Sequence, residues 1–259
     1  MAKQPHIGVD ETQIAPLVIV CGEPDRANRI ASLLEDAEMV SENREYRIFT
    51  GAYQGKAISV CSTGIGAPSM IIAVEELKFC GVTHIVRVGS AGAMQSHIGL
   101  GELIIAEGAV RDEGGSTAYV KPSYPAYASF SLLKELDKFL QQQTTPYYLG
   151  TVRSHDSFYT DDEQALCQYW NGKGILGADM ETSALFTVGR LRGLNVASIL
   201  NNVVLYEQDV KEGVGQYVDE AEAMMQGERL ASLAALEALI TSIKMMKPYV
   251  KVSSFSIFM

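Results

Sequence analysis

The chain has little of what metal or disulfide frameworks are built from. Its four cysteines, Cys21, Cys61, Cys80 and Cys167, show no CxxC spacing. Their apolar surroundings make them buried thiols in a reducing compartment, not disulfides or zinc ligands. Four scattered histidines argue against a transition-metal site. No apolar run approaches the roughly 20 residues of a membrane span, and the first residues, Met1 to His6, lack the apolar stretch of a signal peptide. A cytoplasmic protein without membrane contact is therefore expected. The formal net charge is −10, with no basic stripe to neutralise a phosphate backbone, which excludes nucleic acid as a partner. Repeats, low-complexity segments and long linkers are absent too.

What the chain does have is 259 residues, 47% of them apolar, enough for one large α/β domain over 1–259. An apolar, aromatic tail at about 246–259 ends it. Leu17 to Cys21 reads as a buried strand, followed by a helix over 24–35 with Pro24 in its first turn. Segments 45–50 and 57–61 flank Gln54-Gly55-Lys56 as a hairpin. A loop at 64–69 precedes an amphipathic helix over 70–80 with Glu75 and Glu76 outward. Strands follow at 84–88, 102–110, 147–153 and 196–204. Helices are expected at 129–142, 162–169, 182–192 (closed by Gly193) and 218–244. The alternation predicts an α/β fold whose central sheet is mixed, curved and partly barrel-like, flanked by helices.

Two short runs carry the chemistry. Gly22-Glu23-Pro24-Asp25-Arg26 follows the first strand, so a helix N-terminus presents free N–H groups beside Gly22, and Arg26 adds a positive charge one turn in. Arg87-Val88-Gly89-Ser90-Ala91-Gly92 follows another strand, with a hydroxyl at Ser90 and glycines that let an anion approach the backbone. An acidic protein that places arginines at such points is built to hold an anion there.

These runs, with Val60 to Ser69 (VCSTGIGAPS), Ala73 to Leu77 (AVEEL) and Asp179-Met180-Glu181, resemble the nucleoside phosphorylase family of uridine phosphorylase and the hexameric purine nucleoside phosphorylases. The resemblance runs from His6 to about residue 240 and is greatest to the uridine phosphorylases. It implies phosphate binding by Gly22, Arg26, Arg87 and Ser90, with Arg44 supplied by a neighbouring subunit. Three guanidinium forks around one dianion suit its paired oxygens. It further implies a nucleoside site in which Glu181 accepts the ribose hydroxyls, Met180 backs the sugar and Asp179 stands where glutamate is more usual. His6 would reach a neighbour's 5′-hydroxyl, and Phe158 would stack on the base. Arg87 and Glu181 would be the catalytic pair. The implied assembly is a homo-oligomer, a dimer or a trimer of dimers. The implied reaction is reversible phosphorolysis to free base and pentose 1-phosphate, with inorganic phosphate as co-substrate, no cofactor, no metal and no Ser-His-Asp triad.

Neither base signature of the family is intact. Asp162 and Gln164 stand where the uridine enzymes carry glutamine and arginine. Leu205 or Tyr206 stands where purine enzymes carry aspartate and uridine enzymes arginine. Glu207 or Asp209 is a candidate if the loop is shifted, and Gln164 or Arg111 could replace part of a uracil clamp. Uridine is the favoured substrate and purine nucleosides the alternative. Behind them stand a phosphate-independent nucleosidase, disfavoured by the retained arginines, and a non-catalytic nucleoside-binding protein.

Overall fold

Strand β5 (His84–Ala93) organises the molecule because it serves three neighbours. A computed structural model describes residues 2–206 and 219–243, the side chains of Asp219 and Glu220 excepted. The apolar tail, Glu207 and Asp209 lie outside the described residues. On one edge, residues 84–87 of β5 pair in parallel with β1 (Leu17–Cys21). Farther along the same edge, Gly92 and Ala93 pair with β9 (Gly177–Asp179). The opposite edge pairs along its length with β10 (Asn195–Val204).

From β10 the ladder continues antiparallel to β6 (Leu103–Asp112), then parallel to β8 (Tyr147–His155), and through β9 back to β5. Five strands thus close a small barrel. From β1 the sheet instead runs outward through β4 (Lys56–Ser62), β3 (Tyr46–Tyr53) and β2 (Glu35–Asn43) as an open wing. A short β7 (Ala126–Tyr127) adds to β6. The expected mixed, curved, partly closed sheet is what the chain forms. Between the points where β1 leaves β5 and β9 joins it, residues 88–91 have no ladder neighbour on that edge among the described residues. Such a fork at the carboxyl ends of strands opens a crevice for ligands.

Helices cover both faces. On one face α2 (Ala67–Phe79) and α5 (Thr182–Leu191) bury Met70, Val74, Leu77, Leu185 and Phe186. On the other, α1 (Pro24–Ala31), α3 (Phe130–Leu140) and α6 (Asp219–Ser242) bury Ile30, Leu132, Leu136, Ala234 and Leu239. A fully buried side chain such as Phe186 contributes about 1.5–3 kcal/mol. The smaller α4 (Glu163–Asn171) follows β8.

Some expectations need correction. The first helix stops at Ala31, and Glu35–Asn43 is an edge strand, where the helix was expected to run to 35. Its side chains are exposed or half-buried throughout, so no apolar alternation marks it. Helix α2 begins at Ala67, inside the expected loop, and Glu76 is buried, not outward. The hairpin turn falls on Gln54-Gly55, both at positive φ, between the paired Tyr53 and Lys56. Cys21, Cys61 and Cys80 are buried free thiols, whereas Cys167 is only half-buried. Among the described residues, no helix is long and apolar enough to cross a membrane.

Candidate active site

Arg87 lies at the fork and is almost entirely buried. Its Nε donates to Asp179 Oδ2 at 3.1 Å and its Nη2 to Glu181 Oε2 at 2.5 Å. Its Nη1 is buried with no hydrogen-bond partner among the described residues. A buried guanidinium with an unused donor is poised for an acceptor that arrives from outside. Burial works against its charge, but Glu181 and Asp179 outweigh that and hold its pKa above the ordinary value.

Gly89 makes room for this arginine. Residues 87 and 89 face the same way along the strand, and a Cβ at 89 would come within 2.6 Å of the Arg87 guanidinium.

Asp179 acts as an anchor. It accepts from Arg87, from Ser154 Oγ at 2.5 Å, and from the Thr182 backbone N–H and Oγ1 at 3.0 and 2.6 Å. The Thr182 amide is among the first free N–H groups of α5, so the carboxylate also satisfies the helix start. Both oxygens of the shorter aspartate thus accept hydrogen bonds from within the protein.

Glu181 precedes α5 and is held from both sides: Oε2 takes Arg87, and Oε1 takes the Gly66 backbone N–H at 2.6 Å. Gly66 has φ +94°, a left-handed conformation that suits glycine, which lets that amide point at the carboxylate. Burial raises the Glu181 pKa above the ordinary carboxylate range, against the pull of Arg87. Met180 beside it is half-buried.

The second arginine joins from α1. Arg26 donates through Nη2 to Ser90 Oγ at 2.7 Å and through Nε to Glu228 Oε2 at 2.7 Å. Gly22 lies against the loop that carries Gly66, since the Gly64 N–H donates to the Gly22 carbonyl at 2.9 Å. Burial pushes the Cys21 thiol up to about 12, against the pull of Arg26 and Arg87, so it stays protonated beside them. The structure therefore brings together Gly22, Arg26, Arg87, Ser90, Asp179 and Glu181.

Three expected residues stand apart. His6 binds its own chain: its Nδ1 lies 2.6 Å from Glu76 Oε1, and its backbone N–H and that of Ile7 donate to Glu76 Oε2. Arg44 is exposed in the Arg44-Glu45 turn that joins β2 and β3, at φ +56°. Asn43 Nδ2 donates to the His6 carbonyl at 2.7 Å, so both residues sit on one edge of the molecule. Phe158 is 44% exposed and meets Tyr159 edge to face at 5.1 Å.

For the base, Asp162 and Gln164 are exposed around the start of α4. Arg111 donates to the carbonyls of Val120, Lys121 and Tyr124 and to Ser116 Oγ. Leu205 is 37% exposed, and Tyr206 packs partly against the core. Sequence reasoning missed Glu228, Glu76, Ser154, Thr182 and the Gly66 amide. The VCSTGIG segment points near the last of these and AVEEL contains Glu76, but no local pattern marks the roles of the others.

The profile of the Phosphorylase superfamily matches residues 16–240. A guanosine phosphorylase of Halorubrum lacusprofundi is 35% identical over 242 residues, 92% of this chain and all of that one. The uridine phosphorylase of Escherichia coli is 31% identical over 248 residues, 90% of this chain and 95% of that one. A crystal structure of a uridine phosphorylase from Vibrio fischeri, complexed with 6-hydroxy-1-naphthoic acid, is 70% identical. It superposes with a TM-score of 0.88 and covers 93% of this chain and 98% of its own. On this match in sequence, coverage and fold, the chain belongs to the phosphorylase superfamily.

Proposed function

We propose that this protein is a nucleoside phosphorylase, with uridine as the favoured substrate, cleaving it reversibly to free base and pentose 1-phosphate. The observation that carries the reading is the buried Arg87, paired with Glu181 yet with an Nη1 that has no partner among the described residues. One residue thereby links an anion site to a sugar site. Phosphate would sit among Gly22, Arg26, Arg87 and Ser90, and Glu181 would accept the ribose hydroxyls while Met180 backs the ring. As the glycosidic bond breaks, positive charge grows on the sugar and negative charge on the base. The arginines fix the phosphate beneath the sugar, and orientation with preorganised charge supplies most of the acceleration. No covalent enzyme intermediate is required, and the reading needs no cofactor or metal beyond phosphate as co-substrate.

The reading includes a site shared between subunits of a homo-oligomer, a dimer or a trimer of dimers. It is supported by His6 and Arg44 standing together on one edge, tied through Asn43. From there they would complete a neighbour's sugar and phosphate sites. Phe158, partly exposed after β8, would stack on the base.

Uridine rests on the relatives at 31% and 70% identity named uridine phosphorylase. The guanosine phosphorylase at 35% identity supports a second reading, a purine nucleoside phosphorylase. The test is release of free base from uridine, thymidine, inosine, guanosine and adenosine, with and without phosphate. Phosphate-dependent release from uridine is expected. Release only from a purine nucleoside moves the assignment to the second reading. Release without phosphate makes the protein a nucleosidase, and no release from any makes it a binding protein.

A further inference from the structure

Glu228 is a buried carboxylate that the reaction as described does not use. It lies on α6, 202 residues from Arg26 in the chain, and is 7% exposed. Its Oε2 accepts from Arg26 Nε at 2.7 Å and Arg29 Nη2 at 2.9 Å, and its Oε1 accepts from Arg29 Nε at 2.5 Å. Arg29 reaches onward to Glu23 at the surface.

The helix that carries Glu228 is held closely. Asn201 Nδ2 donates to the Met224 carbonyl at 2.8 Å. At the next-door residue, Gly227, a Cβ would collide with the Gly101 carbonyl and Asn201 Oδ1. Asn201 belongs to β10, which pairs with β5 beside Ser90. The carboxylate is therefore fixed against the same strands that bear the anion site. An arginine has four rotatable side-chain bonds, and holding its Nε edge leaves the Nη groups facing forward as a fork.

We propose that Glu228 is a positioning residue for phosphate. It grips Arg26 by the Nε edge, so that Nη2 meets Ser90 Oγ and the guanidinium is presented to the phosphate beside that hydroxyl. Arg29 supplies the second positive charge that shares the carboxylate, so Arg26 is not fully neutralised by its anchor. The role rests on the assignment of Arg26 as a phosphate ligand in the function proposed above.

The experiment compares wild type, Glu228→Ala, Glu228→Gln, Arg26→Ala and the Arg26→Ala/Glu228→Ala double variant. Phosphate KM, nucleoside KM, kcat and Tm are measured with the nucleoside the wild type cleaves. Glu228→Ala is expected to raise the phosphate KM roughly 10- to 100-fold while the nucleoside KM moves less than about twofold, because a displaced fork misplaces one reactant only. The double variant should handle phosphate no worse than Arg26→Ala alone, since the effect of Glu228 passes through that arginine. Glu228→Gln keeps the shape of the side chain and reads the same KM split if the alanine variant does not fold. An unchanged phosphate KM, or fully additive losses in the double variant, overturns the proposal. Wild type that needs no phosphate, or cleaves nothing, overturns the phosphorylase reading itself and the role of Glu228 with it.

Discussion

Gly89 lies directly beneath the guanidinium of Arg87. A Cβ at position 89 would stand 2.6 Å from Arg87 Cζ and Nη2 on one side and 2.7 Å from Leu200 Cδ2 on the other. Neither neighbour can yield freely: Arg87 is pinned by two carboxylates, and Leu200 is fully buried in the barrel wall. Gly89→Ala should therefore cost about 1–3 kcal/mol, the usual range for overpacking. It should also push Arg87 away from Glu181. Urea denaturation reads the first effect and phosphate binding by titration calorimetry the second. Wild-type stability together with wild-type phosphate affinity would falsify the close contact.

Gly89 also illustrates what can be read from a sequence alone. The RVGSAG run points to an anion site because strand, arginine, hydroxyl and glycines are contiguous. The reason for Gly89, however, is the arginine folded back over it, which no spacing reveals. The same division holds elsewhere. Four of the five barrel strands, β5, β6, β8 and β10, are legible as apolar runs, but β9, only three residues long (Gly177–Asp179), carries no such run and is not expected from the sequence. Strand β2 was lost because it is exposed at the sheet edge and carries Glu35, Asp36, Glu38 and Glu42. Glu76 sits beside Glu75 in an apparently solvent-facing pair, yet its partner is an N-terminal segment 70 residues away. The anchors of the two site arginines, Asp179 and Glu228, come from 92 and 202 residues away. Long-range polar pairing of this kind leaves no local pattern.

Asp179 is expected to matter for stability as well as turnover. Its carboxylate collects Arg87, Ser154 and the start of α5 in a buried cluster. Asp179→Ala leaves Arg87 with Glu181 alone and strips a helix start of its acceptor. A loss of about 3–5 kcal/mol is expected, the range for breaking a buried ion pair from one side. Asp179→Glu keeps the charge and should cost less. Chemical denaturation of the two variants settles the ranking, and an alanine variant as stable as wild type would refute the anchor role.

The N-terminal segment hangs on Glu76. Three N–H groups converge on that carboxylate: those of the His6 backbone, the Ile7 backbone and the His6 ring. Hydrogen bonds to a charged acceptor contribute about 1.5–3 kcal/mol each, enough to decide whether residues 4–8 stay docked. Glu76→Ala should speed hydrogen exchange of the His6 and Ile7 amides and quicken tryptic cleavage after the already exposed Lys3. If His6 serves a neighbouring subunit as proposed, nucleoside KM should rise while phosphate KM holds. Unaltered exchange at both amides would mean that the segment is held by something else.

The Glu228 ion pairs predict a pH signature. Burial pushes its carboxyl upward, but Arg29 and Arg26 outweigh that and hold its pKa below the ordinary 4.5. Well above 4.5 the group is ionised in folded and unfolded chains alike, so the pairs contribute in full. As pH falls below that value, the unfolded chain takes up the proton first, and the contribution is lost progressively through the folded pKa. Wild type should thus exceed Glu228→Gln in stability by a constant margin at neutral pH, and the margin should shrink as acid is added below 4.5. Urea midpoints at several pH values from neutral down to the acid limit of folding measure it. A margin that held steady through acid would show a carboxyl whose pKa folding does not shift, and one that widened a carboxyl pushed upward; either would contradict the charged pairs with Arg26 and Arg29.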